Sequence, residues 1–165
     1  MRRLRAIFAT LATLAVALPA AAVAASHDTA GIAALASAPP GVVFEIASSR
    51  GGALEWAVPE VRRQIDVLRK RFPGLPVAVV THGNEQFALT RDNRARYPAV
   101  HEGVREMTQS QDIDVHVCGT YASWRNLGPE DFPEYVNVAA AGPTTIKNYR
   151  ELGYLLVVLE PPRSN

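Results

Sequence analysis

Val77-Ala78-Val79-Val80 is an uninterrupted apolar run that ends at Thr81-His82-Gly83. A strand with no polar alternation is covered on both faces, as in a parallel sheet flanked by helices. This stretch therefore predicts a buried strand of an α/β domain.

On both sides of this run, short apolar segments alternate with longer amphipathic ones. Apolar residues recur at spacings of three and four from Leu54 to Phe72, which lines one face of a helix, although Pro59 fits only near that helix's first turn. The remaining segments predict strands at 42–47, 113–118, 135–139 and 154–159, and helices at 99–109 and 142–153. Strands that alternate with helices predict a three-layer α/β/α domain with a five-stranded, mainly parallel sheet.

The N-terminus has the pattern of a signal peptide. Met1-Arg2-Arg3-Leu4-Arg5 precedes an apolar run over 6–18, and Ala22-Val23-Ala24 matches a signal peptidase site. We predict a signal peptide at 1–24, a flexible lead-in at 25–40, one domain at 41–160 and a tail at 161–165. The alternative is a retained membrane anchor, but the run is shorter than the roughly 20 residues that span a bilayer. The expected location is the periplasm or the exterior, with no stable membrane insertion after cleavage.

Charge and cysteine content narrow the classes of partner. The formal net charge is +1, and the acidic residues slightly outnumber the basic ones once Arg2, Arg3 and Arg5 are removed. No global field favours nucleic acid, so we expect no nucleic-acid partner. The single cysteine excludes an internal disulfide, and the four histidines lack metal-ligand spacing. We therefore expect no metal and no cofactor.

Ligands of parallel α/β sheets bind beyond the carboxyl ends of the strands, so the residues that close each strand are the candidates. Three such loops should share one rim: 48–52, 82–84 and 118–120. Cys118 is the candidate nucleophile, because a thiolate is a strong nucleophile, and His82 is the candidate base. The candidate binding residues in these loops are Ser48, Ser49, Asn84, Gly119 and Thr120.

Each of these candidates also has a structural interpretation. Cys118 can be an inert core residue, and His82 can cap a loop through a hydrogen bond. His116 shares a strand face with Cys118, and that face is expected at a sheet edge or a subunit contact. Trp124-Arg125 in a long loop indicates a lid, an interface anchor or local packing.

Four motifs together resemble the DsrE/DsrF-like family over residues 42–159. They are Val77 to Gly83, the Val115-His116-Val117-Cys118-Gly119 stretch, the turn over 127–132, and Leu152-Gly153-Tyr154. The resemblance implies a compact α/β/α domain that forms homo-oligomers. It also implies relay of sulfur as a persulfide on Cys118, with a sulfur donor or acceptor protein as partner.

Two hypotheses of different classes follow. The first is an exported protein that carries or transfers sulfane sulfur on Cys118. The second is a non-enzymatic, homo-oligomeric binding module whose rim holds a small anion or a protein partner. Exposure of Cys118 in a rim pocket favours the first hypothesis, and burial of Cys118 favours the second.

Overall fold

The computed structural model describes residues 26–161, and its centre is a five-stranded parallel sheet of order β4-β3-β2-β1-β5. The predicted α/β/α class is confirmed, and every strand pair is parallel. The strands are β1 Val42–Ile46, β2 Val77–Thr81, β3 Ile113–Cys118, β4 Asn137–Ala139 and β5 Leu155–Val158.

Helices cover both faces of the sheet. They are α1 Thr29–Ala33, α2 Leu54–Arg71, α3 Pro98–Ser110, α4 Gly119–Ser123 and α5 Gly142–Glu151, with 3-10 helices at Asn84–Leu89, Arg91–Asn93 and Pro129–Asp131. The predicted signal peptide and all of the predicted tail except Pro161 lie outside the described residues. Within 26–161, no helix has the length and apolar character that a bilayer crossing requires.

The two faces of the sheet carry cores of different size. The larger core lies under α2 and α3 and includes Phe44, Ile65 and Met107, each almost completely buried. Burying a side chain of this size contributes about 1.5–3 kcal/mol. On the opposite face, α5 packs on the sheet through a small cluster: Val43, Ala78, Val80 and Ile146.

Part of the predicted flexible lead-in is instead a helix, which corrects the expectation for 25–40. Asp28 caps α1, because its Oδ1 accepts from the Gly31 backbone N–H at 2.6 Å. Ile32 is 1% exposed, in the core under α2. This segment of mostly small residues therefore contains a short capped helix, which the buried Ile32 side chain anchors to the core.

Several predicted boundaries differ from the structure by one or two residues. β4 begins at Asn137, and Tyr135 lies outside it, where its hydroxyl donates to His101 Nδ1 at 2.6 Å. His101 Nε2 donates to the Ala88 carbonyl, so this buried histidine joins α3 both to the 3-10 helix Asn84–Leu89 and, through Tyr135, to the loop before β4. Pro59 lies in the second turn of α2, so the expectation that it fits only near the first turn is wrong. Val58 and Val61 close to it are buried, and this packing stabilises the helix through the proline.

Candidate functional site

Cys118 closes β3 at the predicted rim but is only 5% exposed. Gly142, the first residue of α5, passes directly over it. A Cβ on Gly142 would lie 3.4 Å from the Cys118 Cβ and 2.6 Å from the His82 Cβ. Only glycine therefore allows α5 to begin here, and the first turn of α5 covers the thiol.

His82 lies beside Cys118 on the neighbouring strand end. Thr81 and Val117 are paired in the register of β2 and β3, and His82 and Cys118 are the next residues of the two strands. His82 Nε2 donates to Glu45 Oε1 at 2.8 Å, and both side chains are mostly buried. This hydrogen bond to Glu45 raises the pKa of His82 above its usual value.

Three neighbouring strands thus place Glu45, His82 and Cys118 on the sheet face that α5 covers. This array is a carboxylate, an imidazole and a thiol on adjacent strands, the groups found in thiol catalysis. No hydrogen bond joins the Cys118 thiol to His82 within residues 26–161. The role of Cys118 and His82 in catalysis stays a prediction.

His116 does not lie at an open edge of the sheet. β4 pairs with β3 from His116 to Cys118, and α5 covers this face. His116 Nε2 donates to the Tyr149 hydroxyl at 2.9 Å, and this hydroxyl donates to Asp114 Oδ2 at 3.1 Å. Burial lowers the pKa of His116. Because β3 lies between β2 and β4, the expectation of an edge position is wrong for this residue, and a subunit contact stays a prediction.

Glu85 is a completely buried carboxylate that organises the first two loops of the rim. Its Oε1 accepts from the Thr81 hydroxyl at 2.5 Å and from the Gly83 N–H at 2.8 Å. Its Oε2 accepts from the Ser48 N–H at 2.6 Å. Three donors compensate the buried charge, and they fix the start of the 48–52 loop against the end of β2.

Asn84 joins three parts of the rim. Its Oδ1 accepts from the Tyr121 hydroxyl and from Arg125 Nη2, each at 2.7 Å. Its Nδ2 donates to the Ser49 carbonyl at 2.9 Å. The amide therefore fixes Arg125 of the loop after α4 relative to the 48–52 loop.

A cavity of about 340 Å³ opens beside Asn84, and we call it the strand-end cavity. The Arg125 guanidinium carbon lies 4.1 Å from the centroid of the Phe87 ring, and the Arg96 carbon lies 5.2 Å from that of Tyr97. The strand-end cavity is lined by Gly51, Gly52, Asn84, Phe87, Ala88, Asn93, Arg96, Tyr97 and Arg125.

The strand-end cavity is positively charged. The ion pairs within residues 26–161 leave Arg96 and Arg125 without a carboxylate partner, whereas Arg91 nearby pairs with Glu134. Glu55 is an acidic group close to its edge, with Oε2 3.0 Å from the position of a Cβ on Gly52. Two guanidinium groups without carboxylate partners, one of them hydrogen-bonded to Asn84, therefore lie on aromatic supports at a concave surface beside the carboxyl ends of the strands.

The predicted binding residues divide between two places. Ser48, Ser49 and Asn84 belong to the hydrogen-bonded frame beside the strand-end cavity. Thr120 instead donates to the Ala140 carbonyl through both its N–H and its hydroxyl. A Cβ on Gly119 would lie 3.0 Å from the Ala139 carbonyl oxygen, so these two residues join β3 to the end of β4.

The sequence interpretation missed Glu45, Glu85, Arg96 and Tyr97. Glu45 has a visible signal, since it is the single charged residue within the apolar segment of β1. Arg96 and Tyr97 follow two 3-10 helices, which carry no long periodic pattern.

Within 26–161, no group of three His, Cys, Asp or Glu side chains is placed to hold a metal ion.

The fold and site define a parallel α/β/α protein with a cationic cavity at its strand ends. No protein-family model and no curated protein matches the chain. Its fold is similar to that of MTH1491 from Methanobacterium thermoautotrophicum, a protein of unknown function, with 19% identity and a TM-score of 0.57. The match covers 72% of this chain and 97% of MTH1491.

The YchN protein from E. coli is a more distant neighbour. The match covers 72% of this chain and 99% of YchN, at 13% identity and a TM-score of 0.49. The similarity to MTH1491 therefore supports the α/β fold, and at 19% identity it shows the fold alone. The DsrE/DsrF-like family and its sulfur chemistry therefore remain a proposal for this chain.

Proposed function

We propose that this protein is a binding module that holds a small anion in the strand-end cavity. The observation that carries the proposal is the pair Arg96 and Arg125, which line this cavity without carboxylate partners. The burial of Cys118 under Gly142 also favours binding over thiol chemistry.

The lining supplies the groups that an anion requires. Guanidinium groups donate paired hydrogen bonds to carboxylate, sulfate or phosphate oxygens, and stacking on Phe87 and Tyr97 restrains their orientation. Gly51 precedes α2 and has no side chain to keep an anion from the backbone there, whereas Glu55 Oε2 lies beside Gly52. Backbone N–H groups at the start of a helix favour negative charge.

Isothermal titration of the protein with inorganic phosphate, sulfate and acetate tests this proposal. We expect saturable binding of one anion per chain, and a loss of at least about tenfold in affinity for Arg125→Gln or Arg96→Gln, since one charge-assisted interaction is worth roughly 1.5–3 kcal/mol. Arg150→Gln is the matched control, because α5 runs from Gly142 at this rim to the opposite end of the sheet. Equal affinity in all three variants would contradict the proposal.

The placement of Glu45, His82 and Cys118 on adjacent strands favours a second candidate, sulfur transfer of the DsrE/DsrF-like kind. In that reaction the Cys118 thiolate attacks the outer sulfur of a donor persulfide. A new S–S bond forms on Cys118, the donor S–S bond breaks, and the donor leaves as a thiolate. His82 accepts the thiol proton in this scheme, once the first turn of α5 has given access to the sulfur.

We also propose that the chain works outside the cytoplasm as a homo-oligomer. Export is supported by the charged start, apolar run and Ala22-Val23-Ala24 site of the sequence. Assembly is supported by the family resemblance and by the exposed apolar side chain of Leu152. N-terminal sequencing of the exported protein and light scattering test the two statements separately.

A further inference from the structure

Trp124 is the most exposed large apolar side chain of the described residues, at 72%. It follows the last residue of α4 and packs edge-on against Tyr121, with ring centroids 5.3 Å apart. Tyr121 in turn packs against Phe87, with ring centroids 5.6 Å apart. An exposed indole on an aromatic support is a surface on which a planar group can stack.

This aromatic row adjoins the strand-end cavity. Phe87 lines the cavity and also supports Arg125, the residue after Trp124. The same Asn84 oxygen accepts hydrogen bonds from Tyr121 and Arg125, so one amide holds the aromatic row and the cationic group together. A ligand whose charged group binds Arg125 therefore has the indole of the next residue nearby.

The size of the strand-end cavity indicates more than an inorganic ion. Its volume of about 340 Å³ lies within the range of roughly 300–1,000 Å³ that is typical of sites for small organic molecules. A second cavity of about 300 Å³ shares Phe87, Asn93 and Arg125. Asp92, Glu130 and Asp131 also line it, so the charged head group of an anion is directed to the strand-end cavity and not to this one.

We propose that the ligand is a small organic anion that carries a planar ring, with its phosphate or carboxylate group on Arg96 and Arg125 and its ring stacked on Trp124. This inference rests on the proposed anion site and specifies its substrate class. Stacking on an exposed tryptophan tolerates many rings, because it requires only a flat face. The ring is thus selected for shape and the head group for charge.

Paired probes separate the two parts of the ligand. Phenyl phosphate and methyl phosphate share a head group, as do benzoate and acetate, and only the first of each pair has a ring. We expect the ring-bearing probe of at least one pair to bind about tenfold more tightly than its partner, in keeping with the measured range for stacking. Trp124→Ala should remove this difference and leave methyl phosphate and acetate binding unchanged, while Trp124→Phe should keep most of it.

A fluorescence titration in a Trp56→Phe background reports on Trp124, because the chain has two tryptophans. Quenching by phenyl phosphate or benzoate, without quenching by its ring-free partner, supports the inference. Equal affinity within both pairs overturns the inference and leaves the anion site standing. Absence of binding for all four probes overturns the anion site as well. If Trp124→Ala converts an oligomer into a monomer by light scattering, the indole is a subunit contact and the inference fails.

Discussion

The guanidinium of Arg125 lies over the ring of Phe87, 4.1 Å from its centroid, and its Nη2 donates to Asn84. Phe87 belongs to the 3-10 helix after β2, whereas Arg125 follows α4, so the contact joins two loops of the rim. The contact holds a cation at the wall of the strand-end cavity before any ligand is present. A group that is already oriented loses less entropy on binding.

Asn84 should control the affinity of the anion site through Arg125. Asn84→Ala removes the oxygen that accepts from Arg125 and Tyr121, and we expect anion affinity to fall about fivefold or more because a hydrogen bond is worth roughly 1 kcal/mol. Asn84→Asp keeps an acceptor but adds a negative charge beside the ligand, so it should weaken binding further. Titration calorimetry with phosphate measures both, and tighter binding by the Asp variant would count against the assignment.

Glu85 should be the most costly rim residue to replace for stability. Glu85→Gln keeps the size but gives the side chain an N–H₂ group, which meets a backbone N–H donor at Ser48 or at Gly83. One buried donor then loses its acceptor, at a cost of about 1–3 kcal/mol in the free energy of unfolding. Urea denaturation measures the loss, and Glu55→Gln at the edge of the same cavity serves as the control. A loss no greater than that of the control would show that Glu85 does not hold the loops.

The His82 and Glu45 pair should make stability depend on pH. The pKa of His82 is higher in the folded protein, so the pair stabilises the fold fully below the unfolded value of about 6.5. This contribution is lost as pH rises through the folded pKa. Glu45→Gln should therefore cost more at pH 5.5 than at pH 8.5, when thermal unfolding is measured at both. Glu85 also raises the pKa of His82, so Glu45→Gln should remove only part of the pH dependence of stability. If Glu45→Gln cost more stability at pH 8.5 than at pH 5.5, Glu45 would not be stabilising the charged form of His82.

Cys118 should react slowly in the folded protein. The first turn of α5 covers its thiol, so iodoacetamide should label native Cys118 far more slowly than the urea-unfolded chain. Mass spectrometry follows both reactions, and Cys118→Ser serves as the unlabelled control. Rapid labelling of the native protein, with gain of one sulfur atom from polysulfide, would favour the sulfur-transfer candidate instead.

The sequence predicts the parts of this fold that depend on local pattern. Apolar runs such as Val77 to Val80 indicate buried strands, and spacings of three and four indicate α2, whose interior tolerates Pro59 through tertiary packing. The α1 helix is not predicted from the sequence, because it depends on one cap at Asp28 and one buried side chain, Ile32. Patterns of this length are too short to carry a periodicity.

The candidate site, like the fold, is only partly predictable from the sequence. Cys118, His82 and Asn84 are predictable as rim residues, because parallel strands bring their carboxyl ends together. Arg96 is not, since its approach to Gly51 and Arg125 depends on how the irregular segment between β2 and α3 folds back. The burial of Cys118 is likewise a tertiary effect, which results from the return of the chain at Gly142.

Two-dimensional NMR of the nitrogen-15-labelled protein during a phosphate titration tests the central claim most directly. If the strand-end cavity binds anions, the backbone amides of Gly51 and Gly52 and the side-chain Nε–H signals of Arg96 and Arg125 should shift together along one saturable curve. The amides of α5 near Arg150 should not move. Shifts that never saturate, or that fall on α5 instead of these four residues, would contradict the claim.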